Sequence, residues 1–266
     1  MTPNPTFSLS RLLAITALGI LAVLAFPTPA HALGDLVGVE AAIWPQSLSG
    51  NASIDTSSLS GTTIDFKRDL GLDNKDTSPQ GRVWFRLGRS YLTFDYTGAS
   101  RTGDGALSKN VNFNGTTYGI GETIRSKYDL NILDAQYRFD FVKLKVVDFG
   151  IGVGLNVAQV KMDLNGSPSG VTTLDENVPY PTVNAALVVK PLPGFHIRAE
   201  ANGLSINVGG NKVQILDARL QLEYYFLHAF GVLGGYRSYR FAVDANDFGH
   251  VENTFSGPYI GLGVKF

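Results

Sequence analysis

The final stretch, Pro258-Tyr259-Ile260-Gly261-Leu262-Gly263-Val264-Lys265-Phe266, decides the fold. Ile260, Leu262, Val264 and Phe266 alternate with Tyr259, Gly261, Gly263 and Lys265. Successive side chains of a strand point to opposite faces, so this period of two describes a strand with one apolar face. The chain then stops on an aromatic residue.

Working back from that end, the same alternation recurs. It predicts strands over 35–44, 80–87, 92–97, 133–141, 147–158, 183–189, 195–202, 216–226 and 230–243, which with the terminal strand makes ten. In the strand over 230–243 the phase slips near Tyr236 to Tyr239, as a bulge would make it. The connections alternate between short turns, such as Gly88-Arg89-Ser90 and Pro191-Leu192-Pro193-Gly194, and long polar segments. The long ones are expected over 45–78, 99–127 and 162–179, with shorter ones around Gly209-Gly210 and over 244–253. A hairpin is expected at Asn114-Gly115, a pair suited to a tight turn. One face of nearly every strand is apolar and uncharged, while the other carries Arg, Asp, Glu, Asn and Gly.

Composition narrows the class. The chain has 266 residues, enough for one medium barrel, and no cysteine, which excludes a disulfide framework and a thiolate metal site. Its formal net charge is −1, which argues against nucleic acid as a partner. Mean hydropathy is only +0.05. A helical membrane protein would be far more apolar, but a membrane barrel would not, because only alternate strand residues face lipid. At the other end of the chain, Arg11 precedes an apolar run from Leu12 to Phe26, followed by Pro27-Thr28-Pro29 and Ala30-His31-Ala32. A charged start, a short apolar run and a small-x-small site describe a secretory signal peptide over 1–32; the run is too short to span a bilayer. The rest, 33–266, is expected to form one barrel domain.

With its alternating strands, its export segment and its terminal Phe266, the chain resembles the small bacterial outer-membrane barrels of the OmpA and OmpW kind. The resemblance implies an all-β, antiparallel, up-and-down transmembrane barrel of about ten strands, with eight or twelve as alternatives. It also implies that Ile260, Leu262, Val264 and Phe266 form an insertion strand that the barrel-assembly machinery reads and that closes against the first strand. Outer-membrane lipid and small solutes are the other partners it suggests. No cofactor or metal is expected.

The apolar face is expected to point to lipid, which puts a set of charges in the lumen: Glu40, Arg82, Arg86, Asp95, Asp134, Arg138, Asp140, Arg198, Glu200, Asp217, Arg219 and Glu223. They suit either a charged constriction in a narrow conduit or a closed ionic plug. Eight strands are just filled by side chains, and open channels belong to sixteen or more, so ten charged strands predict a lumen that is narrow or shut. Gly150, Gly152, Gly154, Gly261 and Gly263 would leave room for long side chains from facing strands. Two groups raise the alternative of an outer-membrane hydrolase. His196, Arg198 and Glu200 share one strand face, where a His with a carboxylate could act as general base, although no nucleophile stands beside them. Asp244, Asp247, His250 and Glu252 fall in the last loop, and outer-membrane proteases of the omptin kind use Asp and His at the outer rim. A surface-loop interaction protein is the third possibility.

Overall fold

The computed structural model describes residues 36–54, 62–73, 75–208, 210–226, 229–245 and 249–266. The expected signal peptide, and Asp247 of the last loop, lie outside the described residues. Ten long strands form the wall: β1 (Val37–Ile54), β3 (Lys75–Leu87), β4 (Ser90–Ala106), β7 (Thr123–Lys143), β8 (Val147–Ser167), β9 (Gly170–Leu192), β10 (Phe195–Val208), β11 (Asn211–Phe226), β12 (Phe230–Ala245) and β13 (Gly249–Lys265). Each pairs antiparallel with its sequence neighbour, and β13 returns to pair with β1 from Gly38↔Lys265 to Ile54↔Gly249. The sheet is therefore a closed up-and-down barrel, with the C-terminal strand shutting it against the first. A two-residue strand, β2 (Ile64–Asp65), adds to β1. A small hairpin of β5 (Val111–Phe113) and β6 (Thr116–Tyr118) turns at Asn114-Gly115, where both residues have positive φ (44° and 80°). That hairpin is where the sequence places it.

The expected loops need correction. Much of 45–78 and 99–127, and most of 162–179, is strand: β1 runs on to Ile54, β4 to Ala106, and β8 and β9 continue their ladder to Gly166↔Gly170. The reason lies in the chemistry of the two faces. On β8 the outward residues Ile151, Val153 and Leu155 are exposed and apolar, and further along the same face come Gln159, Lys161, Asp163 and Asn165. The inward face makes the opposite change, from Asp148, Gly150 and Asn156 to Ala158, Val160, Met162 and Leu164. β7 does the same, with Asp134, Arg138 and Asp140 inside one half and Ile124, Tyr128, Leu130 and Ile132 inside the other. One half of the barrel thus obeys the rule for lipid, apolar outward, and the other half the rule for water, apolar inward.

Dimensions agree. A strand of 21 residues such as β7 spans roughly 70 Å at about 3.3 Å per residue, or roughly 50 Å of height at a tilt near 45°. An outer-membrane apolar band is about 25 Å tall, so half of the barrel stands clear of the bilayer. The belt half carries Leu36, Phe266 and the short turns, and it ends in a ring of aromatics that includes Phe85, Phe141, Phe149, Tyr224, Phe226 and Phe230, as interfacial girdles do. The chain crosses a membrane with strands, and no helix among the described residues is long and apolar enough to do so.

Three details of the wall matter below. The expected bulge in β12 is absent: its register with β11 and β13 is unbroken through Tyr236–Tyr239. Register shifts occur instead at Asp140/Val142 in β7 and at Phe195/Ile197 in β10. A Cβ at Gly152 would lie 1.9 Å from the Tyr137 carbonyl oxygen, so a glycine there lets β7 and β8 approach. Finally, β9 pairs with β10 only as far as Val183↔Gly203. Above that point, from Gly170 to Thr182, β9 has no partner on that side among the described residues, and Pro179 and Pro181 stand where it parts from β10.

Candidate functional site

The lumen of the belt half is filled by interlocked charges. Arg82 bridges two carboxylates, its Nε donating to Asp95 Oδ1 at 2.7 Å and its Nη2 to Glu200 Oε2 at 2.8 Å. Glu200 also lies 3.5 Å from Arg198 Nη1 and 3.9 Å from Arg138 Nη1. Arg198 Nε donates to Glu223 Oε1 at 2.6 Å, and Arg138 Nε to Asp140 Oδ1 at 2.9 Å. Arg219 approaches Asp95 at 3.6 Å. Glu40 joins through the Gln221 amide, which donates to both Glu40 (3.3 Å) and Glu223 (2.9 Å) and accepts from the Tyr259 hydroxyl at 2.8 Å. Each side chain comes from the inward set of its strand, so the closed register brings residues up to 181 positions apart into contact.

Just above lies a second tier. Arg237 is fully buried; its Nε and Nη2 donate to the two oxygens of Asp217 at 2.9 and 2.8 Å, and its Nη1 donates to Thr97 Oγ1 at 2.7 Å. Its guanidinium carbon sits 4.9 Å from the Trp44 ring centroid. Asp134 faces Asp95 directly across the β4–β7 ladder. With the Asn156 amide turned to suit both its neighbours, its nitrogen donates to Asp134 Oδ1 at 3.0 Å. Higher still the filling becomes aromatic: Phe66, Tyr128 and Phe255 stack in sequence, with centroid distances of 5.4 and 6.4 Å. Leu48, Ile64, Leu70, Val111 and Phe113 are buried around them. The void inside the ionic tier, lined by Glu40, Arg82, Asp95, Arg219, Gln221 and Tyr259 among others, is ≈10 Å³, at about the minimum for one water.

The charges expected inside are therefore brought together, with one exception. Glu40, Arg82, Asp95, Asp134, Arg138, Asp140, Arg198, Glu200, Asp217, Arg219 and Glu223 all belong to this filling, whereas Arg86 is only half-buried and stands apart near the short turns, its guanidinium carbon 5.7 Å from the Tyr91 ring. Arg237, Gln221, Tyr259 and Trp44 complete the network but were not expected in it. Strict alternation through β12 from Leu233 would have put Arg237, Tyr239 and Phe241 inward; the assumed bulge hid them. Of the strand expected to direct insertion, Ile260 and Leu262 are exposed on the outer face, Val264 pairs with Val39 and Phe230, and Phe266 N–H donates to the Val37 carbonyl at 2.8 Å.

The two enzyme-like groups differ in fate. His196, Arg198 and Glu200 do share a face: His196 Nδ1 lies 3.3 Å from Glu223 Oε2, a carboxylate that Arg198 and Gln221 also hold. Asp244 and His250 are register partners at the β12–β13 end, and Glu252 receives a 2.6 Å hydrogen bond from Arg240. These three side chains alternate with the buried Val251, Asn253 and Phe241, so they point away from the lumen and cannot line a cleft at its mouth. No cluster of three or more metal-ligating side chains occurs among the described residues.

The fold has solved relatives. The outer membrane protease OmpT from Escherichia coli superposes with a TM-score of 0.57 over 88% of this chain and 98% of its own, at 9% identity. The chain has the outer-membrane β-barrel fold. The translocator domain of the autotransporter NalP from Neisseria meningitidis (TM-score 0.45, 13% identity, 97% of this chain and 98% of that one) is also similar. So is the neisserial surface protein NspA (0.37, 16%, 86% and 97%). No family model matches the sequence, and no curated protein matches it.

Proposed function

We propose that this chain is a closed, non-conducting barrel of a bacterial outer membrane, exported by its segment 1–32 and inserted by the assembly machinery through its terminal strand. The lumen charges act as a structural plug, and the water-exposed half of the barrel is what the protein presents outside the cell. The observation that carries this reading is the pair of successive seals across one lumen, an ionic tier with room for about one water and an aromatic tier above it. An ion would have to displace Arg82 or Arg237 from carboxylates held in a low-dielectric interior, where leaving a charge unpaired is strongly unfavourable. A hydrolytic role has less support. Asp244, His250 and Glu252 face outward, and among the described residues no Ser, Thr or Cys lines the cavity that His196 borders.

Single-channel recording of the refolded protein in a planar bilayer tests the reading. Protein that has folded, shown by its resistance to unfolding in detergent at room temperature, should give no discrete current steps at low or high salt. Stable, salt-dependent steps that Arg82→Gln or Arg138→Gln alters in ion preference would overturn the plug in favour of a narrow conduit.

A further inference from the structure

Below the ionic tier, at the short-turn end, the lumen widens into a chamber of ≈120 Å³ lined by side chains of Trp84, Arg86, Lys190, Arg198, Glu223 and Lys265, with Asp148, Tyr91, His196 and Tyr225 completing the wall. One water needs on the order of 10–15 Å³ of such space, so the chamber holds several waters or one ligand group of a few heavy atoms. We propose that it is a binding site for a compact oxyanion, a phosphate or carboxylate group, entering from the periplasmic side.

The charges come first. Four cationic side chains, Arg86, Lys190, Arg198 and Lys265, line the chamber against two carboxylates, Asp148 and Glu223. Both carboxylates are engaged: Lys190 Nζ donates to Asp148 Oδ2, and Arg198 Nε donates to Glu223 Oε1 at 2.6 Å. Arg86 has no carboxylate partner among the described residues, and its guanidinium is left to face the cavity beside the Tyr91 ring. The Trp84 indole lines the chamber too, with one edge packed against Gly38. An oxyanion in the chamber takes a charge-assisted bond from Arg86, whereas a cation would be repelled and an apolar group would leave Arg86 unmet. The ionic tier shuts the chamber above, so a ligand enters and leaves by the same end. The chamber binds and does not conduct.

The chain has two tryptophans, and Trp44→Phe leaves Trp84 as the sole indole reporter. Refolded full-length mature protein in uncharged detergent is titrated at constant ionic strength with inorganic phosphate, glycerol 3-phosphate and acetate, with chloride as the control. Saturable change in Trp84 emission is expected with the oxyanions and not with chloride. Arg86→Gln should weaken it about tenfold or more, as loss of a charged hydrogen bond does, while Arg125→Gln on the outer surface should leave it unchanged. Calorimetry on the unsubstituted chain reads the same affinities should Trp44→Phe fail to fold. A short-chain phosphatidylglycerol below its micellar concentration separates the sources: a response that requires the acyl chains assigns a lipid headgroup, and an equal response to glycerol 3-phosphate assigns a free solute. No saturable response to any oxyanion, or equal affinity in folded Arg86→Gln, overturns the site.

Discussion

Replacing Arg237 with Met is the sharpest probe of the plug. The side chain is fully buried, grips both oxygens of Asp217 at 2.8–2.9 Å, donates to Thr97 and lies over Trp44. Methionine keeps the stem and part of the contact with the indole but strands Asp217 without its counter-charge. Breaking a buried pair from one side costs about 3–5 kcal/mol, because the remaining charge stays desolvated. With a urea slope of about 2 kcal/mol/M, the midpoint should fall by roughly 1.5–2.5 M. Adding Asp217→Asn removes the stranded charge, so the double variant should recover most of the loss and show a coupling energy of about 2 kcal/mol or more. The assay is reversible urea unfolding in lipid vesicles followed by tryptophan emission. A single-variant cost below about 1 kcal/mol, or strict additivity in the cycle, would mean that the Arg237–Asp217 pair does not hold the lumen shut.

Two further outcomes follow from the change of chemistry along the wall and from the outer turns. Leu155→Arg lies in the lipid belt and should destabilise the inserted barrel by about 2–4 kcal/mol, whereas Gln159→Arg, four residues along the same face of β8, should stay within about 0.5 kcal/mol; equal effects would misplace the membrane boundary. Glu122 clamps the tip between β6 and β9: its carboxylate accepts from Ser169 N–H (2.9 Å), Gly119 N–H (2.9 Å) and Ser169 Oγ (2.8 Å). These donors, the Ser169 N–H first, hold its pKa below the usual glutamate value. A depressed folded-state pKa means that the clamp contributes fully at neutral pH and fades as pH falls through the carboxylate range. Hydrogen exchange at the Ser169 and Gly119 amides, corrected for intrinsic rates, should show protection lost on acidification in the parent and already low in Glu122→Gln; pH-independent protection in the parent would refute this.

The belt half of this barrel is legible in the sequence because its alternation has one sense, as in Ile260, Leu262 and Val264 or in Leu133 and Tyr137. The upper half keeps the same geometry but reverses the sense. Past Leu155 the apolar residues of β8 are Ala158, Val160, Met162 and Leu164 on the other face, so a reading tuned to one sense sees the pattern dissolve and writes a loop. The supposed slip in β12 is the same event, with Arg237 the last inward charge before Tyr239 and Phe241. The lumen charges could be named from the sequence because parity alone assigns them to a face. Their pairing could not, since Gln221 meets Glu40 only once β13 closes on β1. Nor could the chamber, because its parts, Trp84 with Arg86, Lys190 and Lys265, sit at three separate strand ends that only barrel closure gathers into one ring.

The unpartnered stretch of β9 bears on how copies of the protein coexist. A bare strand edge standing in water is a template on which another chain can add its own strand. Here Pro179 and Pro181 lack the N–H groups that such an addition would use, and their ladder to β8 is intact through Val157↔Pro179 and Leu155↔Pro181, so the missing donors fall on the open side. Exposed Asp175 and Glu176 add charge to the same margin. In a crowded membrane, where neighbours meet sideways at high density, this seam is built to stay single.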